Sequence, residues 1–142
     1  VGGRGEGGER VGGGGSLADA ELRMGKVEAA MTLCQSVLDR LGQLPAETRK
    51  DIAITTVCLL AVSYLRQAQT DNCVERHTGE SCILPIASTA VLADPSSALQ
   101  AMPLFADIVR NIAPGEPPHL AAKWLLNITA LMAGSPGDLA AE

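Results

Sequence analysis

Aromatic side chains are nearly missing from this sequence: Tyr64, Phe105 and Trp124 are the only ones, 2% of 142 residues. A core made without them is built from Leu, Ala, Ile and Val, which suits close helix packing. Positive charge is also thin. The net charge is −5 and no basic run exceeds Arg49-Lys50, which points away from nucleic acid as a partner. Long apolar runs are missing too. The longest, Val57 to Val62, falls far below the roughly 18 residues of a membrane span, so it reads as a helix core and no membrane is expected. No paired carboxylates, nucleophile motif or phosphate loop stands out. Gly12–Gly15 lack the Lys-Ser/Thr that would follow in a phosphate loop. The expectation is a protein that is not an enzyme and has no cofactor.

The chain begins at Val1 rather than Met, and its first residues lack the apolar centre of a signal peptide. It therefore reads as a fragment or a processed product. Residues 1–16 are Gly-rich, and glycine loses the most entropy on ordering, so they are expected to be a flexible linker or tail.

What is abundant is apolar residues, 46% of the chain, arranged at helical spacing. Ser16 is placed to cap a short helix over Leu17–Met24, with Gly25 as its stop. A second helix is expected from Lys26 to Leu41. Its apolar positions, Val27, Ala30, Met31, Cys34, Val37, Leu38 and Leu41, fall on one face, and Gly42 follows as a stop. A third opens at Pro45 or Ala46 and runs to about Ala68. Ile52, Thr56, Leu59, Leu60, Ser63 and Leu65 form its broad apolar surface. Asp94-Pro95 starts a fourth, with Asp as cap and Pro at the first helical position. Pro103 lies inside that pattern, so a bend near Leu99–Pro103 or two short helices is expected. The fifth runs from about Pro118 to Ala133, with Leu120, Trp124, Leu125, Ile128, Leu131 and Met132 as the expected buried face and Gly134 near its end.

The alternation of helices reads as antiparallel pairs in the tetratricopeptide manner, whose repeat is about 34 residues. In that frame the third and fourth helices are partners, displaced by an insertion, and the fifth opens a further repeat. The domain spans residues 17–134 with an inserted loop over 70–93, and 135–142 form a tail.

The insertion holds Cys73, His77 and Cys82. Three readings stay open. Cys73 and Cys82 form a disulfide, worth about 2–3 kcal/mol for so short a loop, which suits an exported or periplasmic protein. Alternatively, Cys73, His77 and Cys82 hold a metal, with a fourth ligand taken from Glu75, Glu80 or His119. In the last reading both thiols are free. His77 beside Cys82 could also act as a general base. No third orienting residue stands at a recognisable position, so a loop histidine bonded to backbone or to Glu80 is expected instead. Trp124 and Asn127 lie one turn apart and are expected in repeat packing, with a ligand-binding groove as the alternative. Cys34 and Cys58 sit in helical patterns as small buried hydrophobes.

Asn72-Cys73, His77, Glu80-Ser-Cys-Ile83 and Pro85-Ile86, followed by Ala122-Lys-Trp-Leu-Leu-Asn-Ile128, resemble the tetratricopeptide-like region of the ASPIC/UnbV family over about residues 17–134. Members of that family carry such a region ahead of FG-GAP/VCBS propeller repeats and a short ASPIC/UnbV domain, both absent from this chain. The resemblance implies a bacterial protein-interaction module. It would bind a protein partner or the propeller portion of its own full-length chain, with a homodimer through the open repeat end as a further arrangement. Because some members are encoded in enediyne-type clusters, the alternative is an accessory module of natural-product biosynthesis that binds a small molecule or metal at the Cys73/His77/Cys82 loop.

Overall fold

The computed structural model describes residues 6–75, 79–80 and 87–135. Five α-helices carry the chain: α1 (Glu6–Arg23), α2 (Val27–Asp39), α3 (Ala46–Glu75), α4 (Ser96–Asn111) and α5 (Pro117–Met132). Short 3-10 turns occupy Leu41–Gln43 and Ser88–Ala90. No strand occurs among the described residues. The fold is all-α, as the helical spacing implies. It comprises two compact units, Val1–Ser63 and Tyr64–Glu142, whose boundary lies inside α3.

The first unit departs from expectation at its start. The Gly-rich stretch is helical from Glu6, and Ser16, expected as a cap, lies inside α1. Gly12–Gly15 together weigh against a helix by about 4 kcal/mol relative to alanine. Packing on α2 offsets this. A Cβ added at Gly14 would lie 2.8 Å from Val37 Cγ2, so the absent side chain lets α1 approach α2 closely. Ala18 and Leu22 continue the same row at four-residue steps and are buried. From α2, Ala30, Cys34 and Val37 are buried as expected.

Gly25 ends α1 as expected, with φ at 79°. The Lys26 N–H bonds the Glu21 carbonyl at 2.9 Å and the Gly25 N–H bonds that of Leu22 at 3.1 Å. This is the paired closure that favours glycine in the left-handed region. Gly42, by contrast, does not stop α2, which ends at Asp39; Gly42 sits within the following 3-10 turn. There Val37 and Leu44 are buried together, with Leu41 and Ile52 packed against them. Arg49 Nη2 donates to the Leu44 carbonyl at 2.7 Å and fixes the entry to α3.

α3 is 30 residues long and passes well beyond Ala68. The start of the expected loop over 70–93, Thr70–Glu75, is therefore helix. Its buried Thr and Ser hydroxyls are satisfied within the helix. Thr56 and Ser63, both buried, donate to the Ile52 and Leu59 carbonyls at 2.7 Å each. By length and composition alone, Ala46–Asn72 could cross a membrane, at a mean hydropathy of 1.2. Core helices pass the same test, and a third of that window is buried (33%).

In the second unit α4 packs along α5. α4 buries Ala98, Ala101, Phe105 and Ile108. It is one continuous helix through Pro103, not the two short helices that were one of the two expectations. Pro103 is exposed, and it gives the Leu99 carbonyl no N–H partner. The helix start also shifts by one residue: Ser96 is the first helical residue and Pro95 holds the cap position. Asp94 still supplies the capping oxygen. Its Oδ1 accepts from the Ser96 N–H at 2.9 Å and from the Ser96 hydroxyl, and these bonds hold its carboxyl below the usual range. At the far end Gly134 closes α5 with φ at 72°, and the Ser135 N–H bonds the Ala130 carbonyl at 2.9 Å. The Leu92 N–H donates to the Met132 carbonyl at 2.8 Å, tying the approach to α4 to the end of α5.

Candidate functional site

Of the sequence-predicted loop site, Cys73 falls in α3, while His77 and Cys82 lie outside the described residues, as do the pairing and coordination readings placed on them. Cys34 and Cys58 are free thiols. Burial raises both thiol pKa values, that of Cys34 to about 11. Among the described residues no group of three His, Cys, Asp or Glu side chains stands together as a metal would require. Two of the proposed fourth ligands have other partners. Glu80 accepts a hydrogen bond from the Thr89 hydroxyl. His119 is buried in the first turn of α5, and its Nδ1–H donates to the Ile112 carbonyl at 3.1 Å, bridging the turn between α4 and α5.

The base of the insertion is pinned by Asn72, whose side chain is buried at 7% exposure. Its Nδ2 donates to the Asp94 carbonyl at 2.9 Å and to the Ala68 carbonyl at 2.7 Å, and its Oδ1 accepts the Asp94 N–H at 2.9 Å. Asn72 thus copies a strand-like backbone pairing with one side chain. Sequence reasoning placed it in the family-like block without giving it a role.

α5 keeps part of the expected face and turns part of it outward: Met132 is buried as expected and Leu125 and Ile128 are half-buried, whereas Leu120, Trp124 and Leu131 are exposed. Its buried residues are His119, Ala122, Leu126, Thr129, Ala130 and Met132. Leu120 and Trp124 are 56% and 57% exposed, and Leu131 is 39% exposed. The physical reason lies in side-chain size. Small residues on α5 (Ala122, Thr129, Ala130) and on α4 (Ala98, Ala101) are buried, which lets the two helices pack closely. Leu120, Trp124 and Leu131 are left facing outward. Leu120, Trp124 and Leu131, with half-buried Asn127 between the last two, form a line at steps of four, three and four residues, one stripe of the helix surface. Lys123 is half-exposed beside it.

A concavity lies wholly in the first unit. Gly13, Gly14 and Leu17 of α1 face Leu33, Ser36, Val37 and Arg40 across a groove of about 280 Å³.

The described residues define a class, an all-α protein of two helix pairs, α1 with α2 and α4 with α5, linked through the long α3. No family model, curated protein or solved structure matches the chain.

Proposed function

We propose that this chain is a non-catalytic protein-interaction module that receives a partner on the outward stripe of α5. One observation carries the reading: Trp124, the sole tryptophan, is 57% exposed in line with Leu120 at 56% and Leu131 at 39%. Large apolar side chains gathered on one stripe mark interaction surfaces, and tryptophan is the residue type most enriched among binding hot spots. The partner is a protein surface with an apolar pocket for the indole. The resemblance to the ASPIC/UnbV helical region makes the propeller portion of such proteins the first partner to test, and tetratricopeptide-like pairing remains part of this proposal.

The test is a titration of the chain with a separately produced propeller portion, followed by Trp124 fluorescence and calorimetry. The reading predicts a saturable blue shift, lost together with the binding heat in Trp124→Ala and weakened in Leu120→Ala. Binding that leaves the Trp124 emission and the Trp124→Ala affinity unchanged would place the docking surface elsewhere.

A further inference from the structure

The α1–α2 groove carries an inference independent of the α5 surface. Its apolar lining comes from Leu17 of α1 and Leu33 of α2, with Val37 largely buried at its floor. Gly13 puts no side chain into it, and a Cβ there would meet nothing within 4 Å. At one end two polar groups share a face of α2, since Ser36 and Arg40 are four residues apart. Both are unengaged among the described residues. Thr32, Thr56, Ser63, Thr70 and Thr129 each donate to a carbonyl one helical turn back, whereas the Ser36 hydroxyl makes no such bond. Arg23 and Arg110 each hold an aspartate, and Arg49 holds a carbonyl. Arg40, like Arg66, has no ion pair among the described residues.

We propose that this groove binds a small aliphatic monocarboxylate, with the alkyl chain along Leu17, Leu33 and Val37 and the carboxylate between the Arg40 guanidinium and the Ser36 hydroxyl. A guanidinium matches a carboxylate with paired, charge-assisted hydrogen bonds, and its position at the end of an apolar trough selects a ligand with one anionic head. The volume, about 280 Å³, admits about nine small heavy-atom groups at ~30 Å³ each, enough for hexanoate.

The experiment is an amide NMR titration of the full chain with hexanoate, and separately with hexanol, which keeps the tail and lacks the charge. The expected result is saturable shifts confined to Gly13, Gly14, Leu33, Ser36 and Arg40 with hexanoate. Binding should weaken about tenfold for hexanol on the unaltered protein, and by a similar factor for hexanoate with Arg40→Met. Three results would overturn the proposal: no saturable shift with hexanoate, equal affinity for hexanol, or shifts centred on residues outside the groove.

Discussion

The side-chain amide of Asn72 and the backbone of Asp94 form a two-bond ring, with N–H···O distances of 2.9 Å in both directions. The two residues are 22 apart in sequence, so this ring closes the base of the insertion that carries His77 and Cys82. Asp94 in turn offers its carboxylate to Ser96 at the start of α4. One buried amide thus sets where the chain leaves α3 and where α4 begins. Replacing Asn72 by Leu removes both bonds to the Asp94 backbone and the buried one to the Ala68 carbonyl, at a cost of about 1–3 kcal/mol. Urea unfolding followed by circular dichroism should show a lower midpoint, and an unchanged midpoint would contradict this role.

Three adjacent glycines should respond differently to alanine. At Gly14 the new methyl would lie 2.8 Å from Val37 Cγ2, whereas at Gly13 and Gly15 it meets nothing within 4 Å. Gly13→Ala and Gly15→Ala should each stabilise by about 0.5–1 kcal/mol through helix propensity. Gly14→Ala should destabilise by about 1–3 kcal/mol, because buried Val37 has to shift. Thermal unfolding of the three variants checks the order, and a stabilising Gly14→Ala would mean that α1 does not pack on Val37.

Pro103 sits exposed inside a continuous α4. Pro103→Ala restores an N–H for the Leu99 carbonyl and removes the ring's clash. It should raise stability by about 2 kcal/mol after allowing for the looser unfolded chain. A fall in the melting temperature would show that the proline shapes α4 in a way the packing needs.

Cys34 gives the fold a pH dependence. Burial pushes its thiol pKa from the ordinary 9.0 up to about 11. Above pH 9 the unfolded chain gives up that proton while the folded chain keeps it. Stability from this group is therefore complete below pH 9 and declines as pH rises toward 11. Cys58 shifts in the same direction, also through burial. Urea midpoints measured across that interval should fall less steeply for Cys34→Ala than for the unaltered chain. Parallel declines would contradict the assignment.

The helices that announce themselves in the sequence are those whose ends follow from local chemistry. Gly25 and Gly134 close α1 and α5 in left-handed conformations, and the apolar spacing of Ala30, Cys34 and Val37 survives as the buried face of α2. Three features were hidden because they depend on contacts between distant residues. Helix over Gly12–Gly15 runs against propensity and is supported by the approach of Gly14 to Val37. The extension of α3 past Ala68 includes polar Asn72, whose bonding partner is Asp94. The outward turn of Trp124 follows from the small residues that α4 and α5 bury, whereas hydrophobicity ranks the largest side chains as core. A stripe of small residues at helical spacing, Ala98 with Ala101 and Ala122 with Ala130, was the available signal. Of the expected site, Trp124 can be placed in the structure, and the Cys73/His77/Cys82 set lies largely outside the described residues.

The central claim is that α5 turns its tryptophan outward for a partner. Because the chain has a single tryptophan, the steady-state emission of the isolated protein and its quenching by acrylamide report on that residue alone. The account predicts a red-shifted emission typical of a water-exposed indole, efficient quenching, and little change in unfolding midpoint for Trp124→Ala. A blue-shifted, quencher-resistant emission together with a loss of several kcal/mol in Trp124→Ala, as for a core aromatic, would contradict it.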